Sequence, residues 1–441
     1  MENTYSYIVH NFPTSCQERS HAQGEGGSLV PRRSEGATPC YHRWMTRPVT
    51  DLIHHPYEPP AGFEAAQPGV YKASTVIFPN VAAVRARDWE HKSGYTYGLH
   101  GTPTTFTLEA RIATLEGGRH CVLVPSGLAA IASVNMALLS AGDEVLLPDN
   151  VYGPSKALAE GELKNWGIGY QLYDPMDAAD LERRIGARTR LVWLEAPGSV
   201  TMEFGPLAQL AAACRDKGVT CALDNTWGAG LAFNGFDAGA DIVVQALTKY
   251  PSGGGDILMG SIVTRDDALN RKLRMTHMRV GWGIGANDAE TVLRALPSLD
   301  LRYRAQDRAA RQLARWLRDR AEVAHVLHPA LGDSPGHENW KATCGADGLA
   351  AGLFSIVFQD GYTPAQVDAF CDALRLFKLG YSWGGPVSLA MPYDVPAMRS
   401  ARPGSWKHKG TLVRFSIGLE AVEDLQADLE QALHGALSPR A

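Results

Sequence analysis

An alternation that begins near residue 105 limits the fold more than any other feature. Short apolar runs recur without internal polar alternation: "CVLVP" at 121–125, "DEVLLPD" at 143–149, "RLVWLEAP" at 190–197, "VTCALDNTW" at 219–227 and "DIVVQALTK" at 241–249. Stretches with a helical period separate them. "TLEARIATLEGG" sets Leu108, Ile112 and Leu115 on one face and ends on glycine. "SGLAAIASVNMALLSAG" opens behind Ser126 as an N-cap, and "PLAQLAAACRDKG" is a further helical stretch. Strands apolar on both sides, with helices between them, predict an α/β fold with a mostly parallel sheet covered on both faces. Ligands of such sheets bind at the carboxyl ends of the strands, where Ser126, Asn150, Glu195, Asp224 and Lys249 fall. The Arg-rich amphipathic stretch "DLRYRAQDRAARQLARWLRDR" leads to a smaller C-terminal α/β unit holding "AGLFSIVFQ", "DAFCDALRLF" and "GTLVRFSIGLE".

The 441 residues suit two domains and a tail. The expected divisions are a disordered extension over 1–44, an N-terminal arm over 45–104, a large domain over 105–299 and a C-terminal domain over 300–441. The extension is rich in Gly, Ser, Pro and charge, and Met45 is a plausible true start. A net charge of −5 points to no nucleic-acid partner. The seven cysteines are odd in number and form no C-x-x-C pair, which argues against a disulfide framework or a zinc site and for a reducing cytoplasm. The longest apolar stretch is broken by Ser133, Asn135 and Ser140, too short and polar to span a membrane. No signal peptide is expected.

The chemistry gathers around Lys249 in "ALTKYPSGGGD". A phosphate-loop reading fails, because the glycines follow the lysine and no helix begins there. A solvated strand-end lysine and a Schiff-base lysine fit this segment equally well; the second needs a desolvated amine. Asp224, 25 residues earlier, ends another apolar strand. It suits either a helix cap or the anion that keeps a pyridine nitrogen protonated. Gly127 and Leu128 open a helix whose free amides suit a phosphate, and Thr248 adds a hydroxyl. Tyr152 offers a ring to stack on a flat cofactor or to pack. Arg414 interrupts an apolar strand, so it should face an anion, either a structural carboxylate or a substrate's.

Taken in order, "YTYGLHGTPTT", "LEGGRHCVLVPSGLAA", "LEAPGS", "LDNTW", "ALTKY", "YSWGG" and "GTLVRFSIGLE" resemble the Cys/Met-metabolism family of fold type I pyridoxal-phosphate enzymes, nearest its β-lyases, from about residue 60 to the C-terminus. The resemblance implies pyridoxal 5'-phosphate as cofactor, with Lys249 as its covalent anchor and proton carrier and Asp224 against its ring nitrogen. It implies that Tyr152 stacks on the ring and that Gly127, Leu128 and Thr248 cradle the phosphate. Arg414, helped by Ser382 and followed by Trp383, would grip the substrate carboxylate. Tyr97 would reach the phosphate of a neighbouring subunit, which makes 45–104 an arm into a partner and implies a dimer at least, usually a homotetramer. Lys249, Tyr97 and Tyr152 are the expected catalytic residues. The implied reaction is β-elimination from an amino-acid thioether such as cystathionine. Other cysteine S-conjugates, a γ-acting enzyme or an inactive binding protein of the same fold are the alternatives. "EAPGS" has Ser199 where γ-acting members carry asparagine. Leu99 stands where the family's Tyr-x-Arg has arginine, and Pro386 and Val387 depart from the usual substrate-pocket sequence.

Overall fold

The structure is a computed structural model; it describes residues 48–437 except 56, 58–61, 64, 89–91, 93 and 400–404. The tail expected over 1–44, and Met45, lie outside the described residues.

Seven strands form the first sheet: β1 (His120–Val124), β2 (Glu144–Pro148), β3 (Gly169–Tyr173), β4 (Thr189–Glu195), β5 (Thr220–Asp224), β6 (Ile242–Ala246) and β7 (Gly260–Thr264). Their order is β1-β7-β6-β5-β4-β2-β3. Only β7 among them pairs antiparallel, with β1 on one side and β6 on the other. The sheet is therefore mostly parallel, and both faces are covered as the unalternated runs require. Val122 and Val124 face one core cluster with Ile131 and Val134 of the helix Gly127–Leu138. Cys121 and Leu123 face the other, with Leu108 and Ile112 of the helix Pro103–Glu116. That second helix ends where Gly117 takes a left-handed conformation, as the sequence signals.

The amphipathic helix Leu299–Arg318 follows, with Leu313 and Leu317 fully buried. Two i,i+4 ion pairs run along it, Arg304 to the buried Asp300 and Arg311 to the buried Asp307. Beyond it lies a five-stranded sheet of β8 (Val323–Leu327), β9 (Leu353–Phe358), β10 (Lys378–Leu379), β11 (Leu389–Tyr393) and β12 (Leu412–Ser416), ordered β10-β11-β12-β9-β8. Only the β10–β11 pair among them is parallel. Among the described residues Cys121, Cys214, Cys221, Cys344 and Cys371 are free thiols. No described helix is long and apolar enough to cross a membrane.

Candidate active site

The carboxyl ends of β5 and β6 and the start of the helix Gly127–Leu138 border a cleft of about 720 Å³, its open mouth included. Gly127, Leu128, Tyr152, Asp224, Thr248 and Lys249 line it, and Trp383 closes one side.

Asp224 is the last residue of β5 and the register partner of Glu195 on β4. Its Oδ1 accepts from the Thr226 amide at 3.0 Å and the Thr226 hydroxyl at 2.6 Å. The same Thr226 oxygen accepts the Ala246 amide at 2.8 Å, which locks the end of β5 to the end of β6. No helix follows Asp224, so it is not the helix cap that its sequence also allowed; it closes an Asx turn instead. Burial pushes its carboxyl above the ordinary value, while the Thr226 hydrogen bonds and the Lys249 charge pull the other way.

The structure refines the position of Lys249. β6 ends at Ala246, and the lysine sits in the turn that follows. Its amide donates to the Ala246 carbonyl at 3.1 Å, and its carbonyl accepts from the Gly253 amide at 3.0 Å and the Ser252 hydroxyl at 3.3 Å. Gly253 and Gly255 have φ of +66° and +75°, so the glycine run supplies the turn. Lys249 Nζ donates to Ser382 Oγ at 2.6 Å and lies 4.6 Å from the centre of the Trp383 ring. Burial, then the Arg414 charge, hold this amine down to about 8, against the pull of Asp224. Tyr250, next in the chain, is fully buried, and its hydroxyl accepts the Gly352 amide at 3.0 Å. The "YSWGG" segment reaches this backbone because Gly384 has φ of +79° and no side chain; a Cβ there would stand 2.8 Å from the Tyr250 nitrogen.

Ser126 Oγ caps the helix by accepting the Ala129 amide at 3.0 Å. The amides of Gly127 and Leu128 belong to its first turn, the natural anion-binding end. A Cβ on Gly127 would stand 2.6 Å from that of Ala246, so only glycine lets the helix start this close to β6. Thr248 also lines the cleft, but its hydroxyl donates to the Met259 carbonyl at 3.2 Å and accepts the Met259 amide at 3.1 Å. A phosphate contact would have to displace or share that pair. Tyr152 forms another wall, and burial raises its phenol above the usual range.

Arg414 of β12 is 5% exposed. Its guanidinium lies 5.2 Å from the Trp383 ring centre and 5.1 Å from that of Tyr393. Nη1 donates to the Ser199 carbonyl at 3.1 Å. Among the described residues it has no ion-pair partner, so the structural salt bridge its sequence also allowed is absent there. Desolvation holds its pKa below that of a free guanidinium. Trp383 thus lies against two cations, Lys249 and Arg414.

The structure does not bring Tyr97 to this cleft. Tyr97 is 45% exposed, bridges to Thr75 and meets His100 edge-on at 6.0 Å. Leu99 lies beside Gly283, and His100 Nδ1 is 2.8 Å from the Thr96 hydroxyl. Glu116, part of the quoted "LEGG", carried no assigned role in the sequence. It is fully buried, bonded by Asn225 Nδ2 at 2.9 Å and Gln245 Nε2 at 2.5 Å, and burial pushes it up to about 8. Among the described residues no three His, Cys, Asp or Glu side chains form a metal site.

Comparison with known proteins agrees with this geometry. The family model of Cys/Met metabolism PLP-dependent enzymes matches residues 49–434. A cystathionine beta-lyase of Bordetella avium is 37% identical over 88% of this chain and 98% of its own length. An L-methionine gamma-lyase of Pseudomonas putida is 33% identical over 87% of this chain and 96% of its own length. A crystal structure of metB from Corynebacterium glutamicum superposes with a TM-score of 0.80 at 28% identity, covering 88% of this chain and 98% of that one.

Proposed function

The chain belongs to the Cys/Met-metabolism family of pyridoxal-phosphate enzymes, and on that premise we propose that it is a carbon–sulfur β-lyase that splits cystathionine into homocysteine, pyruvate and ammonia. The residues present fit the cofactor. The Asp224 carboxylate at the end of β5, a helix start that only glycine permits, the Tyr152 ring and the desolvated Lys249 all line one cleft. In this reading Lys249 holds the cofactor, Asp224 faces its ring nitrogen, Tyr152 stacks on it, and Gly127, Leu128 and Thr248 receive its phosphate. When bound, the cofactor supplies an electron sink for charge developing at the substrate Cα.

The observation that carries the proposal is the pairing of Lys249 with an open cation. Arg414 is buried, has no ion-pair partner among the described residues and lies against the same Trp383 ring as Lys249. A substrate α-carboxylate on Arg414, held bidentately, brings the neighbouring Cα toward Lys249 Nζ. Once the substrate amine has displaced it, the freed Lys249 amine, which burial and Arg414 hold below an ordinary lysine, can take the Cα proton and return one to the leaving sulfur. Ser382 Oγ accepts from the amine at 2.6 Å and the Trp383 ring lies 4.6 Å from it, so both restrict where the amine can point. Ser199 lines the cleft where γ-acting members carry asparagine, which favours β-elimination.

Tyr97 is assigned to the phosphate of a neighbouring subunit. Its exposure, with that of Ile77, Val81 and Tyr95, supports an arm that self-association covers. A homotetramer in the cytoplasm, and divisions at 45, 105 and 300, complete the reading. Incubation with cystathionine, cystine and other cysteine S-conjugates tests it: pyruvate is expected. Release of 2-oxobutyrate instead would make it a γ-lyase, and pyruvate from other conjugates but not from cystathionine would change the substrate. Lys249→Ala should lower turnover at least about a thousandfold, and retained turnover would refute the assignment of Lys249.

A further inference from the structure

Glu195 is the last residue of β4, lines the cleft and is 9% exposed. Both carboxylate oxygens are in use. Oε2 accepts the Tyr152 amide at 2.8 Å, and Oε1 accepts the Ser199 amide at 3.3 Å. The Ser199 carbonyl in turn receives Arg414 Nη1 at 3.1 Å. One side chain therefore ties together three segments that are remote in sequence: the loop carrying the stacking tyrosine, the loop after β4, and β12.

We propose that Glu195 is a positioning residue that sets two parts of the site together, the cofactor wall through Tyr152 and, through Ser199, the Arg414 guanidinium beside Trp383. The chemistry explains why an acid stands here at all. Two backbone N–H groups converge on one side chain, and a carboxylate offers two acceptor oxygens where glutamine offers one. The site is an unfavourable place for a negative charge. Burial, with Asp224 beside it, pushes its carboxyl above the usual range while the Tyr152 and Ser199 amides pull it back, and among the described residues no cation pairs with it. An acid kept where its charge is opposed points to the geometry it imposes. Leucine would fill the space and leave both amides unbonded in a buried wall.

The inference rests on the cleft holding the cofactor and an amino acid, but not on which thiol leaves. Two titrations read it without turnover. In the first, the cofactor-free chain is titrated with pyridoxal phosphate. In the second, the holoenzyme is titrated with L-alanine, which carries the α-carboxylate and no leaving group, and the cofactor absorbance is followed. Glu195→Gln should weaken both about tenfold, and Glu195→Asp, with two acceptors on a shorter stem, should recover part of each. In turnover, KM should rise more than kcat falls. A variant that only melts earlier, with both titrations unchanged, overturns the proposal. If Glu195→Gln does not fold, hydrogen exchange of the wild-type holoenzyme decides. The Tyr152 and Ser199 amides should both be protected, and exchange of either at the rate of an open loop overturns it. Absence of pyruvate from wild type with normal titrations would count against the β-lyase reading alone.

Discussion

Arg414 and Arg399 are equally buried, at 5% exposure each, and their surroundings are opposite. Arg399 follows the short helix Val395–Met398 and is saturated with anions. Its Nη1 donates to Glu203 Oε1 at 3.0 Å, Nη2 meets Glu203 Oε2 and the Thr201 hydroxyl, and Asp149 lies 4.0 Å away. Burial alone would lower its pKa, but Glu203 and Asp149 outweigh it and the value rises. Arg414 has aromatic faces and a carbonyl, and its pKa falls. A buried cation supplied with its own carboxylates holds the molecule together. One left without them, beside a desolvated base, is kept ready for an anion that comes from outside.

Removing one side of the saturated pair gives the largest effect. Arg399→Met leaves the half-buried Glu203 without its cation, with only its Asn150 and Thr201 hydrogen bonds, and should cost about 3 kcal/mol in denaturant unfolding. Adding Glu203→Leu should restore much of that loss. If Arg399→Met melts like wild type, the contrast between the two arginines fails. Arg414→Met should do the reverse. Stability should hold or rise, while kcat/KM falls about a hundredfold through KM, as for any charged partner lost from a bidentate carboxylate grip. An unfolded Arg414→Met with normal activity per folded molecule would assign it to structure instead.

The third effect is a pH dependence that only the open site should show. Lys249 is held to about 8 against an ordinary 10.5, partly by the unneutralised Arg414. Between those values the folded, cofactor-free chain binds fewer protons than the unfolded one, so its stability should rise with pH from about 8 to about 10. Lys249→Met removes that rise. The variant should be the more stable chain below pH 8, and its advantage should fade toward pH 10. A pH-independent difference would remove desolvation as the cause. The smallest effect concerns the arm. If Leu99 occupies the place of a phosphate-binding arginine, Leu99→Arg should slow cofactor loss on gel filtration about threefold, and no change counts against that reading.

The sheet and its chemical edge were legible because parallel strands announce themselves. Apolar runs at 121–125, 143–149, 190–197, 219–227 and 241–249 became β1, β2, β4, β5 and β6, and their ends converged on one cleft. The antiparallel strand β7 and the outer strand β3 were passed over. "GSIVT" is short and follows the glycine-rich turn, and "GYQLY" mixes polar and apolar residues as an outer strand can. In the second sheet, β10 has only two residues. Lys249, Asp224 and Arg414 stood out because each interrupts or ends an apolar run. Glu203 and Arg399 did not, because a pair 196 residues apart leaves no spacing to read. The commitment of Thr248 to Met259 was equally invisible, since it depends on how the chain returns after the glycines.

The turn that carries Lys249 is bonded on both sides, by Ala246 before it and by Ser252 and Gly253 after it, and is pinned through Tyr250 to Gly352. The backbone at this point is a fixed pivot. Whatever distance the amine must travel between a carbon that loses a proton and a sulfur that gains one is covered by rotation of four methylenes alone. Here the stroke length is set by the side chain, and no hinge or domain swing is required to move the proton.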